Sequence, residues 1–160
     1  MRLVLACVGR LKAGPEREIA TRYLMRAAAG ARAIGLTGVD LREIDESRSR
    51  RPEDRRVEEA KALRALIAPG ARVIALDERG GALTSERFAA DIGRARDAGA
   101  AGYVLAIGGA DGFDPEFRES AHLTIAFGAM TWPHQLARIM AAEQLYRATT
   151  ILAGHPYHRA

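Results

Sequence analysis

The sequence is poor in several things that would place it in a large protein class. It has one cysteine, Cys7, in 160 residues, which excludes an internal disulfide and suits a reducing compartment. No apolar run approaches the roughly 20 residues of a membrane-spanning helix. The apolar start, Met1 to Val8, stops at Gly9-Arg10. That is too short for a signal peptide and reads as the first buried strand of a cytoplasmic protein. Lys12 and Lys61 are the only lysines, so arginine carries nearly all the positive charge. There is no G-x-G-x-x-G fingerprint and no Walker lysine. Gly108-Gly109-x-x-Gly112 follows a strand, but late in the chain and with no helix starting at its third glycine, which argues against a dinucleotide or nucleoside triphosphate. His134, His155 and His158 have no cysteine pair or acidic cluster beside them, so no metal is expected. Internal repeats, low-complexity tracts and linkers are absent.

What is present is ordinary globular composition, 48% hydrophobic and 28% charged. The length suits one domain over residues 1–160, enough to bury a sizeable core. The net charge is +4 and the pI about 9.7. Arginine's planar fork matches phosphate bidentately, so an acidic partner such as RNA fits, although GC-rich coding bias accounts for many of these arginines equally well.

Leu3 to Val8 reads as a buried strand, and Pro15 opens a helix to about Ala29 with Ile19, Tyr23, Leu24 and Ala27 on one face. Val39, Leu41 and Ile44 alternate with charges as a half-exposed strand does. Pro52 to Ala68 reads as a helix stopped by Pro69-Gly70. Arg72 to Leu76 is a buried strand, followed by a glycine loop over 77–81 and a helix capped at Thr84 or Ser85. Tyr103 to Ile107 is a strand ending in the loop Gly108 to Gly112. A short helix lies over 115–120, a last strand over 122–127, a third loop over 128–132, and a final helix from Pro133 to about Thr149. Alternating strands and helices predict an α/β domain with a mostly parallel sheet and helices on both faces. Ligands of such sheets bind outside the carboxyl ends of the strands. The loops after Leu76, Ile107 and Phe127 leave three such ends.

The last thirty residues hold three of the four histidines and the only tryptophan. Glu143 and Arg147 form an i,i+4 pair, which on a surface adds only tenths of a kcal/mol. That pairing leaves Tyr146, Arg138 and the ending Tyr157-His158-Arg159 unexplained. Taken together, Met130-Thr131-x-Pro133-His134-Gln135-Leu136-x-Arg138, Glu143-Gln144-Leu145-Tyr146-Arg147-Ala148, His155-Pro156-Tyr157-His158-Arg159 and the upstream Ile107-Gly108-Gly109-x-x-Gly112 carry a resemblance. The chain resembles the ribosomal RNA large subunit methyltransferase H family of the SPOUT superfamily. The likeness covers the whole chain in length and element order, and its motifs lie mainly in residues 103–159.

The resemblance implies an S-adenosylmethionine-dependent enzyme that methylates N3 of a pseudouridine in 23S rRNA of the assembled ribosome. It also implies a C-terminal trefoil knot and a homodimer. Cofactor contacts carry over to Leu76, Gly108, Gly109, Gly128, Ala129, Met130, Thr131, Trp132 and Pro133. Relatives often carry a serine at position 128, so a hydroxyl contact there would be lost while backbone contacts survive. Transfer to N3 requires a proton to leave. Arg138 or Arg147 is expected to stabilise charge on the base, and His158 or Glu143 to assist proton removal. His134, Tyr157 and Arg159 are expected to meet the substrate. Arg10, Lys12 or the run Arg48–Arg56 should contribute phosphate contacts. The competing expectation is a non-catalytic RNA-binding module with the same fold.

Overall fold

Seven residues, Arg2–Val8, form strand β1, and their side chains alternate between two apolar layers. Leu3, Leu5 and Cys7 enter one core, while Ala6 and Val8 enter a second. The computed structural model describes residues 1–158, so the role expected of Arg159 lies outside the described residues. Five strands make one sheet in the order β2-β1-β4-β3-β5, and every pairing is parallel. The others are β2 (Gly38–Ile44), β3 (Arg72–Ala82), β4 (Gly102–Ile107) and β5 (Leu123–Ala126). Parallel neighbours need long crossovers, which the helices supply. Helices α1 (Pro15–Ala31), α3 (Ser85–Asp97) and α5 (His134–Leu152) cover the Leu3 face. Helices α2 (Pro52–Ala65) and α4 (Pro115–Ser120) cover the Ala6 face. β4 is buried along its whole length, as a central parallel strand must be.

Local chemistry explains the helix starts. Prolines occupy the first turns of α1, α2 and α4, where a missing N–H costs nothing, with acidic side chains beside them. Thr84 accepts from the Arg87 N–H at 3.3 Å to start α3, and Asp114 accepts from the Phe117 N–H at 3.2 Å to start α4. Among the described residues no helix is long and apolar enough to cross a membrane.

Two details depart from the sequence reading. The glycine stretch after Leu76 is an excursion within β3: Leu76 and Gly81 both pair with Ile125, and the intervening residues bulge outward. Gly80 lies against Ile125 so closely that a Cβ there would stand 2.3 Å from its carbonyl carbon. On α1 the buried face is Ala20, Leu24, Ala27 and Ala31, while Ile19 is exposed. Helix α5 packs against α1, and the small alanines give α1 a narrow buried face that leaves Ile19 outside it.

One ion-pair network stands inside the apolar layers. Asp91 of α3 is 4% exposed and takes a bidentate contact from Arg72 (2.8 and 2.9 Å), one from Arg94 (3.0 Å) and the Tyr103 hydroxyl (2.9 Å). Burial pushes the Asp91 carboxyl up, but the donors outweigh it and leave the group below its ordinary value. A depressed carboxyl stabilises the fold above its unfolded pKa, and that contribution is lost as pH falls through the folded value. Asp91→Asn is therefore expected to cost about 3 kcal/mol in urea denaturation at neutral pH. The gap to wild type should narrow as pH drops below about 4.

Candidate active site

The excursion within β3 and the carboxyl ends of β4 and β5 open into one cleft of about 530 Å³, a size that suits a nucleoside-bearing cofactor. It is lined by Leu76, where the β3 excursion begins, and by Ile107 and Ala126, the last residues of β4 and β5. One wall is the Gly108–Gly112 turn and the other is the segment 127–134. The turn is tight: the Gly112 N–H donates to the Gly109 carbonyl at 3.0 Å, and Gly112 has φ +77°. A Cβ on Gly108 would come within 3.1 Å of the Gly112 carbonyl carbon. Glycine here keeps the turn closed and leaves bare backbone facing the cleft. Opposite, the Trp132 indole donates to the Phe127 carbonyl at 3.3 Å and closes segment 127–132 into a loop. Met130 is 75% exposed and Trp132 41%, so this loop presents apolar surface at the cleft mouth.

Of the nine residues expected to hold a cofactor, Leu76, Gly108, Gly109, Gly128, Met130, Thr131 and Trp132 line this cleft, and Ala129 and Pro133 lie in the same segment. His134 lines it as well. Gly128 has φ +105°, a conformation that a serine would adopt only under strain, so the residue at 128 matches its backbone. Sequence reasoning missed Asp77, Glu78 and Arg79, which the β3 excursion carries to the cleft rim, and Asp111 in the turn.

The four residues expected to be catalytic lie elsewhere. Arg138 is 4% exposed and reaches from α5 to the end of β1. Its guanidinium donates to the Val8 carbonyl, to the Gly9 carbonyl at 2.9 Å and to Glu43 at 3.0 Å. Gly9 has φ +82°, and a Cβ there would stand 2.7 Å from Glu46 and 3.4 Å from the Arg138 guanidinium. The structure thus places Arg138 in a buried anchoring arrangement, not on the cleft wall, because the second turn of α5 points it at strand-end carbonyls.

Glu143, Arg147, Tyr157 and His158 form a second group where the tail folds back on α5. Glu143 accepts from Arg147 at 2.5 Å and from the Tyr157 hydroxyl at 3.1 Å. His158 Nε2 is 2.7 Å from Glu86, and its Nδ1 is 3.4 Å from Arg147. The Tyr157 ring lies 4.6 Å from that of Tyr146, and the Arg147 guanidinium stands over its face. Burial and the Glu143 carboxylate push the Tyr157 phenol up to about 12, so it remains a donor at neutral pH. Glu143 lines a second cavity of about 430 Å³ that shares Ala126, Phe127 and Gly128 with the cleft. Only the end of β5 separates the two.

The remaining expected contacts sit on the same edge of the sheet. Arg10 pairs with Asp45 at 2.6 Å, both exposed, and Lys12, Arg48 and Arg50 are exposed in the loops after β1 and β2. His155 accepts from the Tyr157 N–H at 3.1 Å. Among the described residues no three His, Cys, Asp or Glu side chains gather as a metal site would need. Burial pushes the Cys7 thiol up to about 12, so it is unreactive at neutral pH.

Comparison with known proteins adds to this geometry. The profile of a family described as "Predicted SPOUT methyltransferase" matches residues 1–158. The chain is 59% identical over 159 residues to a Methylocella silvestris protein named ribosomal RNA large subunit methyltransferase H, covering 99% of each chain. It is 58% identical over 160 residues to a protein of that name from Beijerinckia indica, covering all of both. A probable methyltransferase from Bordetella pertussis shares the fold, with TM-score 0.52 and 13% identity over 92% of this chain and 93% of that one.

Arg138→Ala is expected to take the guanidinium donors from the Val8 and Gly9 carbonyls and the charge partner from Glu43, and to lower stability by about 3–5 kcal/mol in urea denaturation. Arg138→Lys should recover only part, because a single ammonium does not reproduce the fork. An unchanged midpoint for Arg138→Ala would show that the anchor is not needed.

Proposed function

The chain belongs to the SPOUT methyltransferase family, and on that premise we propose that it transfers a methyl group from S-adenosylmethionine to N3 of a pseudouridine in 23S rRNA of the assembled ribosome, in the cytoplasm. The observation that carries the reading is the cleft: two strand ends, the β3 excursion and two glycine-bearing segments enclose one pocket. Backbone groups recognise a nucleoside without charged side chains, and glycine at 108 and 109 lets the turn close against its own backbone and against Glu59, which keeps that wall of the cleft in place. Leu76, Gly108, Gly109 and 128–133 would hold it. Bound there, S-adenosylmethionine supplies a methyl group on a sulfonium, already activated for displacement.

The protein's own contribution is then position and charge. N3 of the base carries a proton that has to leave, and the negative charge that develops spreads onto the flanking carbonyl oxygens. Arg147 is suited to stabilise that charge: Glu143 orients it and holds its guanidinium charged. Tyr157 stays protonated, so it donates or stacks and does not act as the base. His158, held by Glu86 and beside Arg147, is the group suited to take the proton. His134 on the cleft wall and Arg159 at the chain end are assigned to the RNA. Arg10 and Lys12, with the arginines of 48–56, are assigned to its phosphates.

This group does not line the cleft of its own chain. A homodimer in which one copy's tail completes the other's cleft resolves the separation, and the exposed Met130, Trp132 and Leu136 offer it apolar contact. A trefoil knot belongs to the same proposal. From β5 at the sheet edge, segment 127–134 passes the ends of β3 and β4 before Arg138 reaches β1. Fusing a bulky folded domain after residue 160 should slow refolding, since that end must be threaded. An unaffected rate argues against a knot.

The reading is tested by incubating labelled S-adenosylmethionine with ribosomes that lack the modification and mapping the product. Label at N3 of a 23S pseudouridine is expected, and cofactor binding without transfer would favour a non-catalytic RNA-binding module. His158→Ala should lower kcat by about 100-fold or more, with cofactor affinity nearly unchanged. Near-normal turnover would remove the tail from the mechanism. Sedimentation equilibrium should give twice the 17.3 kDa chain mass.

A further inference from the structure

The segment between β2 and α2, residues 45–51, carries three arginines, Arg48, Arg50 and Arg51. It is held by side chains of α2. Glu58 accepts from the hydroxyls of Ser47 and Ser49, the second at 2.8 Å. Glu59 Oε1 accepts from the Ser47 N–H at 3.0 Å. Arg55 Nη1 donates to the carbonyls of Ser49 and Arg50 at 3.1 and 3.0 Å.

Two of these side chains also touch the glycine turn of the cleft. Arg55 turns the other edge of its guanidinium to Asp111, with Nε–Oδ2 at 2.6 Å and Nη2–Oδ1 at 3.0 Å. The guanidinium draws the Asp111 carboxyl below its ordinary range, so both partners are charged at neutral pH. Glu59 is 6% exposed, and its Oε2 is buried without a hydrogen-bond partner among the described residues. That oxygen lies 2.5 Å from the place where a Cβ on Gly109 would stand. Burial raises the Glu59 carboxyl above its ordinary value. Arg55 and Glu59 are one helical turn apart, and neither lines the cleft. Each nevertheless holds one piece of the arginine segment and one piece of the cleft wall.

We propose that Arg55 and Glu59 are positioning residues that couple segment 45–51 to the turn 108–112, so that RNA bound at the first and cofactor bound at the second strengthen one another. The inference rests on the function proposed above and adds to it a route between the two ligands. Its physical basis is shared ordering. Phosphates pairing with Arg48 and Arg50 fix the carbonyls that Arg55 grips, which fixes the fork that holds Asp111. The turn is then ordered before the cofactor arrives. Reciprocity follows, since a coupling free energy acts equally on both ligands.

The test uses the full chain, labelled S-adenosylhomocysteine as a non-reacting cofactor probe, and ribosomes lacking the modification. Equilibrium dialysis gives the probe's Kd with and without saturating ribosomes. Wild type is expected to bind the probe roughly fivefold or more tightly when ribosomes are present. Arg55→Ala and Glu59→Ala should lose that tightening while remaining folded by thermal melting. Arg55→Lys and Glu59→Gln should keep part of it. Arg55→Ala combined with Asp111→Ala should be no worse than either alone, because both break one contact. Wild-type tightening that survives in folded Arg55→Ala overturns the coupling and leaves the proposed function standing, as does wild type that binds the probe but shows no tightening. Wild type that fails to bind the probe at all overturns both.

Discussion

The guanidinium of Arg138 ties the last helix to the first strand, and the working end of the molecule depends on that tie. Few buried side chains join parts of the chain about 130 residues apart. The contact exists because a parallel sheet leaves backbone carbonyls unpaired at its carboxyl edge, and a buried carbonyl needs a donor. Arg138 supplies two donors to the end of β1 and a third to Glu43, which in turn accepts from the Leu11 N–H. β5 lies at the sheet edge, with β3 and β4 between it and β1. The segment joining β5 to α5 therefore has to cross the ends of β3 and β4, and the cleft is the space beneath that crossing.

This origin explains the glycines around the cleft. Loops that leave neighbouring parallel strands and must also pass under a crossing segment have little room for side chains. Gly80, Gly108 and Gly109 each stand where a Cβ would meet another part of the protein within about 3 Å. Charge is kept at the rim, on Asp77, Glu78, Arg79 and Arg56, and in the arginine loops beyond it. A neutral floor with a charged rim suits a nucleoside inside and a polyanion outside.

The tail follows a different logic. Tyr157 packs on Tyr146, Arg147 covers Tyr157, and Glu143 receives both Arg147 and the Tyr157 hydroxyl, so each member of the group orients another. Such preorganisation is what charge stabilisation in a transition state requires. It is built on the rigid face of α5, one strand end away from the cleft. Helix α2 performs a similar service on the opposite side of the sheet, where Arg55 and Glu59 join the arginine segment to the glycine turn.

Much of this was legible in the residue order. The apolar runs 3–8, 72–76 and 103–107 determined three strands, because a strand buried on both faces leaves no alternation to confuse with a helix. Pro15, Pro52 and Pro115 marked helix starts through their fixed φ. The three loops at the cleft followed from strand ends and glycines, since a parallel sheet offers its ligand site at one edge only, while the individual residues in them came from the family resemblance. What the order of residues could not contain is distance across the sheet. Arg138 read as a reacting group because nothing local shows that its partners are Val8 and Gly9. Arg55 read as one of the phosphate-binding arginines of 48–56, since nothing local shows its partner Asp111, 56 positions away. Glu59 left only a faint trace, a carboxylate four residues before the buried Leu63 on an otherwise apolar face. The excursion in β3 was hidden for the same reason: it exists because β5 pairs with both of its ends. Periodicity and backbone stereochemistry are properties of neighbours in sequence, and they determined the elements. Which buried charge meets which carbonyl depends on strand order and crossover, and only the folded chain decided that.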